Sequence, residues 1–121
     1  MASKKMVIVT THGAENPELA TIPFVMANAA LASDTEAVII LQSSAVYLSV
    51  KEFAAHVRAD AFPPLQDLIK SFFEQGGRLL ACVPCLKARG IDEKQVIEGT
   101  KLVAAATVVA EALSADSTLV Y

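Results

Sequence analysis

Residues 37–44 read AVIILQSS, five apolar residues and then three polar ones with no transition between them. A strand with one wet face alternates apolar and polar positions. An unbroken apolar run is what a strand requires when helices cover both of its faces, as in a parallel sheet. Two further runs, at residues 6–10 and 78–82, have the same character, and between them lie helical patterns. Residues 18–33 form one, with Leu19, Ile22, Val25, Met26, Ala29 and Ala30 on a common side. Residues 64–74 form another, opened by Pro64, carrying Leu65, Leu68, Ile69, Phe72 and Phe73 inward, and closed by Gly76-Gly77.

The remainder fits the same plan. Residues 46–50 open a short helix, and residues 51–62 follow without a firm period, as a helix-and-loop excursion. Asp92 caps a short helix reaching about Glu98. A fourth strand is expected at 100–103, a helix at 104–113 and a last strand at 118–121. Alternating strands and helices define an α/β protein with a mostly parallel five-stranded sheet in a three-layer sandwich. The chain of 121 residues, 54% of them apolar, makes one domain spanning 1–121.

Composition narrows the function. The mean hydropathy of +0.47 is high, yet the longest uncharged stretches, 19–33 and 37–50, fall short of the roughly 20 apolar residues that cross a bilayer. No membrane insertion is expected. Lys4 and Lys5 lead into only a brief apolar run, unlike a secretory leader, so a cytoplasmic location is expected. A net charge of −3 and no basic stripe argue against nucleic acid as the primary ligand. The excess of apolar residues points to burial against further copies of the chain, hence a homo-oligomer.

In a parallel α/β sheet, ligands gather beyond the carboxyl ends of the strands, where loops and helix N-termini converge. That rule selects residues 11–16, 42–45 and 82–90. The last of these, CVPCLKARG, holds both cysteines of the chain. In a reducing compartment such a Cys-X-X-Cys pair reads as thiols rather than a structural disulfide. Cys82 ends its strand and Cys85 falls in the turn before a helical turn at 86–89. Lys87 and Arg89 stand close enough in sequence to favour a thiolate, the nucleophilic form. His12 and Gly13 in the first loop, and Gln42 and Ser43 in the second, line the pocket. His12 is a proton donor, acceptor or ligand, with a solvated loop histidine as the plainer reading. His56 carries no motif. A non-catalytic reading, in which Cys82, Cys85 and His12 hold a metal, rests on spacing alone. No Gly-rich phosphate loop and no cofactor motif are present.

Taken together, THGAENPELATIPFVMANAALAS, IILQSSAVYLSV, EQGGRLLACVPCLKARGI and GTKLVAAATVVAEAL resemble the DsrE/DsrF-like family of small sulfur-relay and peroxiredoxin-like proteins. The resemblance implies a flavodoxin-like layered topology and, in relay members, a cysteine at the end of the third strand that carries sulfur as a persulfide, followed by an arginine and a glycine. Cys82 with Arg89-Gly90 matches that pattern; Cys85 has no counterpart in it. The resemblance also implies trimers or hexamers, or hetero-oligomers with sister subunits, and sulfur donor and acceptor proteins as partners. Three functions follow as expectations: a sulfur carrier or sulfurtransferase through Cys82, a Cys82/Cys85 thiol-disulfide oxidoreductase, or a ligand- or metal-binding domain. In the first, Cys85 resolves the persulfide; in the second, the pair cycles.

Overall fold

The computed structural model describes residues 3–121. Five strands, β1 (Lys5–Thr10), β2 (Glu36–Leu41), β3 (Arg78–Cys82), β4 (Lys101–Val103) and β5 (Ser117–Val120), form one sheet in the order β4-β3-β2-β1-β5. Every pairing in it is parallel, so the mostly parallel expectation becomes wholly parallel among these residues. The chain steps outward from β1 to β4 and then crosses the whole sheet to β5. Layers and parallel pairing are those of the flavodoxin-like expectation.

The period-2 rule sorts the strand residues into two cores. Ile8, Ile39, Leu41, Leu79 and Ala81 face helices α1 (Pro17–Ala32) and α2 (Leu65–Glu74), whereas Val7, Val38, Ile40, Leu80 and Val103 face the opposite side, where Val108 of α4 (Ala105–Ser114) packs. On the first side Phe24 and Phe72 meet edge to face with ring centroids 5.7 Å apart. The stripe expected on α1 is turned. Ala20, Phe24 and Ala27 are buried, while Met26 stays 37% exposed, because two alanines flanking one phenylalanine let the helix lie close to the sheet.

Asn16 starts α1, its side chain accepting from the Leu19 N–H at 3.1 Å, and Pro17 occupies the first helical position. The segment after β2 is a 3-10 helix over Ser43–Ser49, followed by a second over Phe53–His56. The helix expected at 92–98 is only a 3-10 turn, Glu93–Gln95; Asp92 caps it as anticipated, in a reciprocal box with Gln95.

At the amino ends of the strands an ion-pair cluster fastens α4 to the sheet. Arg78 reaches both Glu111 carboxylate oxygens, at 2.8 and 3.0 Å, and also Glu36 at 3.0 Å. Lys5 Nζ lies 2.6 Å from Glu111. The Arg78 bidentate bond, opposed by burial and assisted by Lys5, lowers the Glu111 carboxyl from its ordinary value near 4.5 to about 2. A carboxylate depressed on folding stabilises the native state above its unfolded value and ceases to do so as pH falls through the folded one. We expect Glu111→Gln to cost about 1–3 kcal/mol near neutral pH, allowing for solvent screening of its partners. In urea titrations the gap between wild type and variant should close as pH falls from 4.5 toward 2; a pH-independent gap would show that the pairing is not its source.

Candidate functional site

The loops selected by sequence do converge at the carboxyl end of the sheet. β3 ends at Cys82, which is the N-cap of the short helix α3 (Val83–Ala88). Pro84 fits the start of that helix because its missing N–H would have had no intrahelical partner. The helix therefore begins three residues earlier than expected, and Cys85 lies inside its first turn rather than in a loop leading to it. Both cysteines are free thiols and half-buried.

The second loop reaches the pair through a backbone group. The Ser43 N–H donates to Cys85 Sγ at 3.3 Å. Ser43 adopts a φ of +54°, the left-handed region that costs an L-residue about 1 kcal/mol or more. At the end of α3 the Arg89 guanidinium donates to the Cys85 carbonyl at 3.2 Å, holding the last turn together. Gln42 continues the β2 ladder, its N–H donating to the Thr10 carbonyl at 2.9 Å.

The first loop in turn supports the second. Gly13 is buried, and a Cβ added to it would stand 2.6 Å from the Ser44 carbonyl oxygen, so only glycine permits this approach. Its N–H donates to both Glu15 carboxylate oxygens, at 3.0 and 2.8 Å. Burial works to raise the Glu15 carboxyl, but the Ser44 hydroxyl, the Gly13 and Glu15 N–H groups and nearby His12 together lower it. His12 Nδ1 shares a hydrogen bond of 3.2 Å with the Thr11 hydroxyl. Glu15 was not singled out from the sequence, and no motif there marks a glutamate that reaches back to an N–H two residues before it.

Three expectations are corrected. The Cys82 thiol is not eased toward the thiolate: burial, followed by the adjacent Cys85 sulfur, pushes it above its ordinary value, outweighing the Cys85 N–H and the Arg89 charge. Lys87 does not join the thiols; it lines a separate hollow of about 370 Å³ with Val83, Leu86, Ile91 and Asp92. His12 does not complete a metal set with the cysteines, because among the described residues no three His, Cys, Asp or Glu side chains come together in a metal-holding group.

A wholly parallel α/β sheet with a Cys-X-X-Cys turn at the carboxyl end of β3 defines a small thiol-bearing α/β protein. More specifically, the DsrE/DsrF-like family model matches residues 4–121, and the chain belongs to that family. Uncharacterized protein MJ0989 of Methanocaldococcus jannaschii is 29% identical over 117 residues, 97% of this chain and 99% of that one. Uncharacterized protein MJ0760 of the same organism is 32% identical over 103 residues, 85% of this chain, and the match spans only 38% of that protein's length. Among solved structures the ychN protein of E. coli superposes with a TM-score of 0.82 over 98% of this chain and 99% of its own, at 22% identity, a likeness of fold. No helix among the described residues is long and apolar enough to cross a membrane.

Proposed function

We propose that this domain is a sulfur carrier in which Cys82 holds sulfane sulfur as a persulfide. The observation that carries the reading is the placement of Cys82 as the last residue of β3 and the cap of α3, at the rim where three loops meet. Family membership supports a sulfur-relay type of role. In the loading step the Cys82 thiolate attacks the outer sulfur of a donor persulfide, the donor S–S bond breaks, and the donor thiolate departs. In delivery, an acceptor thiolate attacks that outer sulfur and Cys82 leaves as thiolate. No cofactor enters either step. The test is intact-mass measurement after incubation with a small-molecule persulfide, with one added sulfur per chain expected on wild type. Absence of any adduct on both wild type and Cys85→Ser would defeat the proposal.

A second reading, a thiol-disulfide oxidoreductase, is favoured by the two free thiols within one helical turn. A stable 82–85 disulfide with a defined potential in the cytosolic range, and no persulfide under any donor, would select it.

We also propose that the chain works as a homo-oligomer in the cytoplasm. Supporting this, the α4 and β5 side of the domain leaves Val109, Leu113 and Val120 exposed, at 55%, 82% and 67%. Such an apolar patch is costly on a free monomer. The paired change Val109→Glu and Leu113→Glu is expected to reduce the sedimenting mass to that of one 12.8 kDa chain without changing the circular dichroism spectrum. An unchanged oligomer would place the interface elsewhere, and a monomeric wild type would remove it.

A further inference from the structure

The loading and delivery steps above leave Cys85 unused, although the Ser43 N–H is directed at its sulfur. Cys82 and Cys85 occupy the N-cap and the third position of α3, a spacing that puts two side chains on one side of a helical turn. The Cys85 sulfur is close enough to raise the Cys82 thiol. Cys85 Sγ is fixed from outside by the Ser43 N–H at 3.3 Å. That N–H points at the sulfur because Ser43 is held at φ +54°, a conformation seldom retained unless the surroundings impose it. The surroundings here are identifiable: Ser44 is wedged against Gly13, and the Ser44 hydroxyl donates to the Thr11 carbonyl at 3.4 Å. Arg89 holds the Cys85 carbonyl at 3.2 Å. Two loops and the end of α3 thus converge on the position of one sulfur that the carrier step does not employ.

We infer that Cys85 discharges the Cys82 persulfide when no acceptor thiol takes it, releasing hydrosulfide and closing an 82–85 disulfide. This rests on Cys82 carrying the persulfide. In the step, the Cys85 thiolate attacks Cys82 Sγ, the bond from Sγ to the outer sulfur breaks, and that sulfur leaves with the electron pair as hydrosulfide. The outer sulfur is reduced by two electrons, and the two cysteine sulfurs are together oxidised by two as their bond forms. No other reactant is needed for one turnover. A second turnover requires an external dithiol, which is oxidised to its disulfide as the 82–85 bond is reduced. The domain would then give up its cargo in two ways, to a bound acceptor as persulfide sulfur or, unattended, as free sulfide. Ser43 and Gly13 act on this step as positioning residues, through the place of the Cys85 sulfur.

The test loads wild type and Cys85→Ser with a small-molecule persulfide, removes the donor, and follows intact mass and released sulfide together. Wild type should lose its extra sulfur, liberate one sulfide per chain and finish two hydrogens lighter than the reduced protein. Cys85→Ser should load equally and hold its adduct at least about tenfold longer, since the serine hydroxyl does not displace sulfur at neutral pH. Cys85→Ala serves as a second variant, and a far-ultraviolet spectrum matching wild type establishes its fold. Equal adduct lifetimes in wild type and both variants would overturn the inference and leave the carrier reading standing. Failure of all three proteins to load would overturn the carrier reading itself. An extra sulfur mapped by peptide analysis to Cys85 instead of Cys82 would also overturn the inference, since the attacking and receiving sulfurs would be exchanged.

Discussion

Cys82→Ala is expected to abolish sulfur loading at every pH, whereas Cys85→Ser should load to the wild-type extent. The effect is complete rather than graded because the persulfide needs an attacking thiolate at the strand end, and the remaining thiol sits one helical turn away, inside α3. Loading by wild type should also carry a distinctive pH dependence. Burial and the neighbouring Cys85 sulfur hold the Cys82 thiol above its ordinary value, so the thiol is the form present at neutral pH. The loading rate should therefore climb by about tenfold per pH unit through neutrality and continue rising into the alkaline range, following the thiolate fraction. Initial rates of adduct formation in wild type and Cys85→Ser, measured by mass over several pH values, check this. In Cys85→Ser the rise should begin at lower pH, because one of the two causes of the raised thiol has been removed. A rate that levels off below neutrality would contradict the assigned electrostatics, and an adduct in Cys82→Ala would contradict the assigned residue.

A cysteine protonated at rest suits a carrier. A free thiolate at the rim would be open to oxidation and indiscriminate alkylation, in proportion to its thiolate fraction and exposure. A raised thiol that is half-buried reacts when a donor docks and supplies the missing stabilisation. Arg89, whose charge already opposes the shift at Cys82, does not by itself reverse it.

The layered fold was legible because it depends on local rules. The run at residues 37–41 could be buried on both faces only in a parallel sheet, and the sudden polarity of Gln42, Ser43 and Ser44 marked where the strand leaves the core. Arg78–Cys82 was legible to its last residue, since Gly76-Gly77 closes α2 and the apolar run passes directly into the cysteine segment. The three loops that meet at the rim followed from the carboxyl-end rule. What the sequence could not convey was contact between loops. The Ser43 N–H and Cys85 are 42 residues apart, and their bond depends on a left-handed serine, which no composition signal marks. Charge proximity was misjudged for a similar reason. Lys87 is two residues from Cys85, but a helix turns it through about 200° relative to that position, and it faces a different hollow. The buried face of α1 was turned because Leu19, Ile22 and Val25 outweigh Ala20 and Ala27 on any hydropathy count. Small residues nevertheless win where a helix must approach a sheet closely.

Gly13→Ala is expected to disturb the site more than its single methyl group suggests. The new Cβ would stand 2.6 Å from the Ser44 carbonyl oxygen, a backbone atom that cannot turn aside as a flexible side chain could. Either the first loop or the Ser43–Ser44 turn must move, at a cost of about 1–3 kcal/mol in stability, as is usual when volume is forced into a filled site. A shift of the turn carries the Ser43 N–H away from Cys85 Sγ, because Ser43 is bonded to the displaced residue. The expected outcome is a lowered urea midpoint together with slower loss of a preloaded sulfur, while the initial loading at Cys82 changes by less than about twofold. Ala14→Gly is the matched control: its side chain is exposed in the same loop, so removing it tests loop sensitivity without steric conflict. Loading and discharge falling in equal proportion in Gly13→Ala would mean general damage to the rim. Unaltered discharge at a lowered midpoint would mean that the loop, and not the second turn, had given way, and would separate Gly13 from the positioning of Cys85.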